Sequence, residues 1–256
     1  MSNAIKLAII AALEREVAPI VRGWEPKFID IRGCKQRCWS SGTSVVVCSG
    51  VGQQRAREYT EVVIETFAPE VITSIGFAGA AVPDLMAGDV LVPAKVVSGH
   101  TGAEFRSWFG VGVLVTADAI AGRKYKAELQ QVHGADAVDM EAAAVAEVCA
   151  ARGRKFLAIK AMSDGWKDEM EFLAPYVRPE GFRTAAFLGH IAVRPALWGS
   201  VRKLKVQSQL ASDGLCEAVR LLTTDVAEFE RQFSARRPMA VAGIAGERAP
   251  AAKGTQ

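Results

Sequence analysis

The sequence predicts an α/β fold with a mixed, mainly parallel central sheet flanked by helices and a C-terminal helical extension. Short continuous apolar runs recur through the first two-thirds of the chain, as expected of strands buried on both faces. Longer amphipathic stretches separate these runs, in the alternation of a parallel sheet with crossover helices. Small or acidic residues follow several runs directly, where ligands collect beyond the carboxyl ends of such strands.

The first strand is predicted over residues 7–12, with a charged helical start at Glu14. Residues 45–48 form a second run, ending in Ser49-Gly50-Val51-Gly52. A helix follows over 53–66, with Ala56, Tyr59, Val62, Val63 and Phe67 on one side. A third strand over 71–75 leads into Gly76-Phe77-Ala78-Gly79. Further strands are expected over 89–97 and 112–115, then a helix over 140–151. The strand over 156–161 runs into Ser163-Asp164-Gly165. From Arg194 a long helix is expected, with Leu197, Val201, Leu204, Ala211, Leu215, Val219 and Leu222 at helical spacing. The expected organisation is an α/β domain over 1–193, a packed helix over 194–235 and a disordered tail over 236–256, where Ala, Gly, Pro and Arg lack periodicity.

The chain has 256 residues, half of them hydrophobic, and a net charge of +3. That length fits one large domain with an appendage, and the composition excludes wholesale disorder. So small a charge gives no argument for nucleic acid. The five cysteines are scattered and odd in number, which points to a reducing, cytoplasmic setting rather than a disulfide framework. Cys34 and Cys38 have no histidine near them in sequence, so no metal site is expected. The apolar run at 7–13 is cut by Glu14, Arg15 and Glu16, too short for a membrane span and wrongly flanked for a signal peptide. Arg202, Lys203 and Lys205 cluster beside Trp198. A solvated helix face is favoured there over a membrane-touching surface across 194–205, because the cluster is small and the apolar stripe narrow.

Glu16, Glu141 and Asp164 each fall just beyond a predicted strand or at a helix head. Singly, each has an ordinary explanation: a carboxylate complementing a helix dipole, or an Asx turn. Together, beyond one sheet edge, they suggest a site. Gly50-Val51-Gly52 lacks the third glycine of a dinucleotide fingerprint, since Arg55 stands there. Gly76 and Gly79 either allow close approach to a ligand or make a tight turn.

Four segments make the chain resemble the purine nucleoside phosphorylase/uridine phosphorylase superfamily, nearest its methylthioadenosine/S-adenosylhomocysteine nucleosidase branch. They are Ala11-Ala-Leu-Glu-Arg-Glu16-Val, Ser49-Gly-Val-Gly52, Ile75-Gly-Phe-Ala-Gly79 running to Gly88-Asp89-Val90, and Val138-Asp-Met-Glu141-Ala-Ala-Ala followed by Lys160-Ala-Met-Ser-Asp164. The resemblance implies a cofactor-free nucleosidase that hydrolyses the N-glycosidic bond of a purine nucleoside, of the 5′-modified adenosine type met in methionine salvage. It implies Asp164 as the acid on the purine N7, Glu16 as the group that activates water, and Glu141 on the ribose hydroxyls with Met140 packing on the sugar. Phe77, Ala78, Gly79, Ser163 and Lys160 match its other substrate-binding positions. It implies a homodimer.

The chain departs from that pattern at four points. Phe77 replaces a small hydroxyl residue, Lys160 replaces an arginine, the stretch between Val97 and Gly112 is short, and Thr116-Ala-Asp118-Ala-Ile120 offers no aromatic for the base. The short build and long basic C-terminal region are also similar to the hopanoid-associated phosphorylase-like members, which act on a lipid-linked adenosine. Phosphorolysis and non-catalytic nucleoside binding remain alternative expectations.

Overall fold

A computed structural model describes residues 5–178, 181–183 and 198–234. A single sheet dominates it. β1 (Leu7–Ala11) lies between β4 (Ser44–Cys48) and β5 (Val71–Ala80), both parallel to it. β11 (Lys155–Asp164) runs parallel to β5 along nearly its whole length, Lys155 opposite Val71 and Met162 opposite Ala78. β10 (Ala137–Asp139) pairs antiparallel with the end of β5 and parallel with β9 (Val113–Thr116), which in turn pairs parallel with β7 (Lys95–Ser98). The apolar runs of β1, β4 and β11 are buried on both faces, as their lack of alternation predicts.

α2 (Gln53–Phe67) and α4 (Ala142–Ala151) cover one face, closing a core that includes Ala56, Val63, Ile72, Ala144 and Val148. On the other face α5 (Trp198–Thr224) packs Ala211, Leu215 and Val219 against Ile9, Leu157 and Ile159. α5 comes very close to the loop before β6 (Val90–Leu91): a Cβ on Gly214 would stand 2.6 Å from the carbonyl of Gly88.

Several elements depart from the sequence expectations. The strand expected over 89–97 is two pieces, β6 and β7, separated by Val92-Pro93-Ala94, where Pro93 has no N–H for a ladder. β6 is antiparallel to β11, so the chain changes direction there. The helix expected from residue 140 begins at Ala142, because Glu141 is its N-cap and holds non-helical angles (φ −137°, ψ −33°). The single C-terminal helix is two, α5 and α6 (Val226–Ser234), divided at Asp225. Asp225 caps the second, its Oδ1 accepting the Glu228 N–H at 3.0 Å. Residues 194–197 and 235 of that expected helix, and the expected tail at 236–256, lie outside the described residues. The helical start at Glu14 gives only the short α1 (Glu14–Val17).

A hairpin, β2 (Glu25–Ile31) and β3 (Cys34–Ser41), extends the sheet beyond β4, and β8 (Glu104–Arg106) ends its other edge. The sequence pattern predicts none of these, nor α3 (Arg123–His133). Cys34 and Cys38 both fall on β3, the first exposed and the second buried. Among the described residues no helix is long and apolar enough to cross a membrane.

Candidate active site

The carboxyl ends of β1, β5, β10 and β11 converge on a cavity of about 550 Å³. Its wall includes Glu16, Phe77, Ala78, Gly79, Met140, Glu141, Ser163 and Asp164, all expected at a site. The three acidic residues, remote from one another along the chain, therefore meet around one space. Phe77 forms part of the wall and leaves the hollow open. The stretch at 116–120 contributes Ala119 and Ile120 but no aromatic, as its sequence implies.

Glu16 is buried on α1, just past β1. Its Oε2 accepts the Leu13 N–H at 2.9 Å and the Ala12 N–H at 3.2 Å, and its Oε1 the Phe77 N–H at 3.4 Å. Burial pushes this carboxyl up, against the pull of the Leu13 N–H, the Lys160 ammonium and Arg15. Gly76 makes room for it. A Cβ there would lie 3.3 Å from both carboxylate oxygens, and the residue's φ of +145° favours glycine in any case.

Glu141 closes the loop between β10 and α4. Its Oε1 accepts the Gly52 N–H at 2.8 Å. The Gly50-Val51-Gly52 turn thus serves to aim an amide at this carboxylate, with Gly52 at φ +98°. Burial and the neighbouring Asp139 raise Glu141 to about 7, against the Lys160 ammonium.

Asp164 is aimed by a shift of register. Met162 pairs with Ala78 and Asp164 with Gly79, so Ser163 is the extra residue of a bulge. Ser163 Oγ donates to Asp164 Oδ1 at 2.8 Å. Asp164 Oδ2 accepts from Nζ of Lys126, an almost wholly buried residue of α3. Burial raises the Asp164 carboxyl, and Lys126 pulls it back. Sequence reasoning missed Lys126. The available signal was its place three residues before Leu129, on the inward side of an otherwise polar helix.

Lys160, expected among the substrate contacts, does not line the cavity. It is 1% exposed and its ammonium lies 2.9 Å from Asp139 Oδ2. Burial alone would lower this lysine, but Asp139, Glu141 and Glu16 together hold it above its ordinary value. Asp139 is itself fixed by Thr116 Oγ1, at 2.6 Å from its Oδ1, and by the Ala142 N–H at the head of α4. The Lys160–Asp139 pair thus sets a positive charge behind two carboxylates while anchoring β10, β11 and α4 to one another. Removing one partner would leave the other buried and uncompensated, a costly state.

Away from the acids the wall becomes apolar. Ile120, Met170, Leu173, Val201 and Leu204 line this outer arm, packed as a small hydrophobic cluster. The basic cluster is partly committed here: Lys203 donates to Asp168 Oδ1 at 2.5 Å, and Gln207 to Oδ2 at 3.0 Å. Lys205 reaches the cavity rim.

A 5′-methylthioadenosine/S-adenosylhomocysteine nucleosidase of Geobacillus thermodenitrificans is 27% identical over 201 residues, covering 62% of this chain and 84% of its own. One from Aeromonas salmonicida is 26% identical, covering 72% and 97%. Among solved structures, an S-adenosylhomocysteine nucleosidase of Streptococcus pyogenes superposes with a TM-score of 0.58 at 23% identity, over 65% of this chain and 86% of that one. The futalosine hydrolase of Helicobacter pylori gives 0.59 at 21% identity, over 73% and 96%. A family model described as the phosphorylase superfamily matches residues 6–131 and 109–175. With that match running through every strand that frames the cavity, the chain belongs to the phosphorylase superfamily.

Proposed function

We propose that this chain is an N-glycosyl hydrolase that cleaves a purine nucleoside, with a 5′-modified adenosine as substrate class. The observation that carries the reading is the meeting of Glu16, Glu141 and Asp164 around one cavity. Cleavage moves the glycosidic electron pair onto the base and leaves positive charge on the sugar. Asp164 directs a proton to N7, so that the base departs neutral. Glu141 and Met140 hold the sugar, and the carboxylate favours the developing cation. Glu16 accepts a proton from the water whose oxygen bonds to C1′. No cofactor is required in this scheme. The relatives named above supply independent support for hydrolysis.

The outer arm favours an apolar 5′ substituent, because a ribose held at Glu141 has its 5′ end free to extend towards Leu173, Val201 and Leu204. Methylthioadenosine and lipid-linked adenosines both fall in this class. The reading includes a homodimer working in the cytoplasm, which light scattering and cell fractionation check. Assay of methylthioadenosine, S-adenosylhomocysteine, inosine, futalosine and a long-chain 5′-alkylthioadenosine, each with and without phosphate, tests the whole. Free base with free sugar supports hydrolysis. A sugar 1-phosphate makes the chain a phosphorylase, and binding without turnover makes it a nucleoside-binding protein.

A further inference from the structure

We propose that Lys126 is a positioning residue for the base-side acid, holding at rest the proton that Asp164 passes to the departing base. The proposal rests on the glycosidic reading above and extends it to a residue from a separate element, α3.

The geometry is that of a built site. Lys126 is 1% exposed; its Nζ donates to Asp164 Oδ2 and, at 3.0 Å, to the carbonyl oxygen of Gly165. A lysine has three N–H donors, and these contacts use two of them. β5 leaves room for the pair. A Cβ on Gly79 would stand 2.8 Å from both Asp164 Oδ2 and Lys126 Cε, so a side chain there would force the two apart. Burying an ammonium group is costly even when paired, and an apolar residue of similar volume would fill the same space at lower cost.

The pairing alters what Asp164 can do. A carboxyl that gives up a proton must first hold one, and an adjacent ammonium favours the carboxylate. One shared proton resolves the conflict. It moves from Lys126 Nζ to Asp164, and from Asp164 to N7, as the glycosidic electron pair goes to N9. Lys126 is left as a neutral amine and regains its proton from solvent, while Glu16 gives solvent the proton taken from water. The sum is nucleoside plus water giving sugar plus neutral base.

Other charges near the pair come from several elements. Asp168, which follows β11, acts on Asp164 and is itself paired to Lys203 of α5. Glu171, from the turn after β11, packs against Gly122 at the head of α3, and Lys205 of α5 lies on the rim. Tyr125 neighbours Lys126 on its own helix. Across the cavity stand Glu16 and Glu141, with Arg15 beside the former.

The test compares wild type, Lys126→Met, Lys126→Arg and Asp164→Asn by two readouts. The first is the pH profile of kcat/KM for adenine release from methylthioadenosine. The second is 13C NMR of aspartate-labelled protein without substrate, with Asp164→Asn assigning the signal. Wild type is expected to keep its alkaline limb and to show Asp164 as carboxylate at pH 7. Lys126→Met should bring the alkaline limb down by about two pH units and put a carboxylic acid at Asp164 below it. Lys126→Arg keeps the charge but cannot release a proton, and should lose at least about tenfold in kcat with KM little changed.

Unmoved NMR titration in Lys126→Met, or wild-type kcat in Lys126→Arg, overturns the proposal. Should Lys126→Met fail to fold, Lys126→Arg and the wild-type NMR signal decide. Asp164→Asn separates the two levels. If it still releases base, the glycosidic reading fails; if it is inert while Lys126→Arg matches wild type, only the inference about Lys126 fails.

Discussion

Glu16 and Glu141 are held by backbone N–H groups and Asp164 by a buried lysine, whereas the outer arm of the same cavity is built from side chains on α5 and the turn after β11. The acids sit at the ends of strands whose positions the whole core fixes. The arm depends on one face of α5, on the short turn Glu171–Tyr176 with Met170 before it, and on Ile120 from the loop before α3. The first region is suited to chemistry, which needs fixed distances. The second is suited to deciding which substituent enters, and single substitutions can remodel it without disturbing the sheet.

The largest expected effect lies among the acids. Asp164→Asn keeps the shape and removes the proton path, so base release should fall by roughly 10³ while circular dichroism stays native. An undiminished rate would remove Asp164 from the chemistry. Glu16→Gln should cost about 10²-fold in kcat, with KM for methylthioadenosine changed little, since water rather than nucleoside loses its partner. A rise in KM with kcat unaltered would move Glu16 from water activation to binding.

At the arm, the effect should be on selection rather than on chemistry. An octylthio substituent should lower KM relative to methylthio by about tenfold or more, given the value of each buried methylene. Leu204→Glu should abolish that advantage and leave methylthioadenosine kinetics nearly unchanged. Equal losses for both substrates would join the arm to the catalytic floor and break the contrast.

The smallest effect concerns stability. Glu141 is raised from 4.5 to about 7 in the folded protein. The folded state therefore binds the extra proton between those values, and the associated stability is lost as pH rises through about 7. Glu141→Gln cannot ionise and can still accept the Gly52 N–H. Its melting temperature should exceed that of wild type at pH 8 by a few degrees, at about 2–4 °C per kcal/mol, and differ less at pH 5. The same variant should lose activity, so calorimetry and turnover should move in opposite directions.

How far the sequence could be read follows the same division. β1, β4 and the first half of β11 are legible because strands buried on both faces read as near-continuous apolar runs. Glu16 after β1 and Asp164 at the end of β11 stand out as charges bordering apolar runs. The β2–β3 hairpin is different: Glu25, Pro26 and Phe28 are exposed, and its turn carries Arg32 at φ +53° and Gly33 at φ +83°. Two positive φ values suit a type I′ turn, but Arg-Gly is not the Asn-Gly pair by which such turns are recognised. Lys126 is hidden for another reason. It follows Arg123 and Lys124 on a helix with a polar average, and only the tertiary packing of α3 turns that one cation inward. The role of Lys160 misled in the opposite direction, since its sequence position fits a ligand contact while its charge is committed to Asp139.

Gly76 and Gly79 clear space for Glu16 and Asp164 respectively, and they stand three residues apart on one strand. Three steps of extended chain span about 10 Å. The spacing between the Glu16 and Asp164 carboxylates is thereby tied to β5, like graduations on a ruler. Under the proposed glycosidic reading, the arm could change to admit new 5′ groups at little risk, but a glycone of another size would demand re-cutting the strand itself.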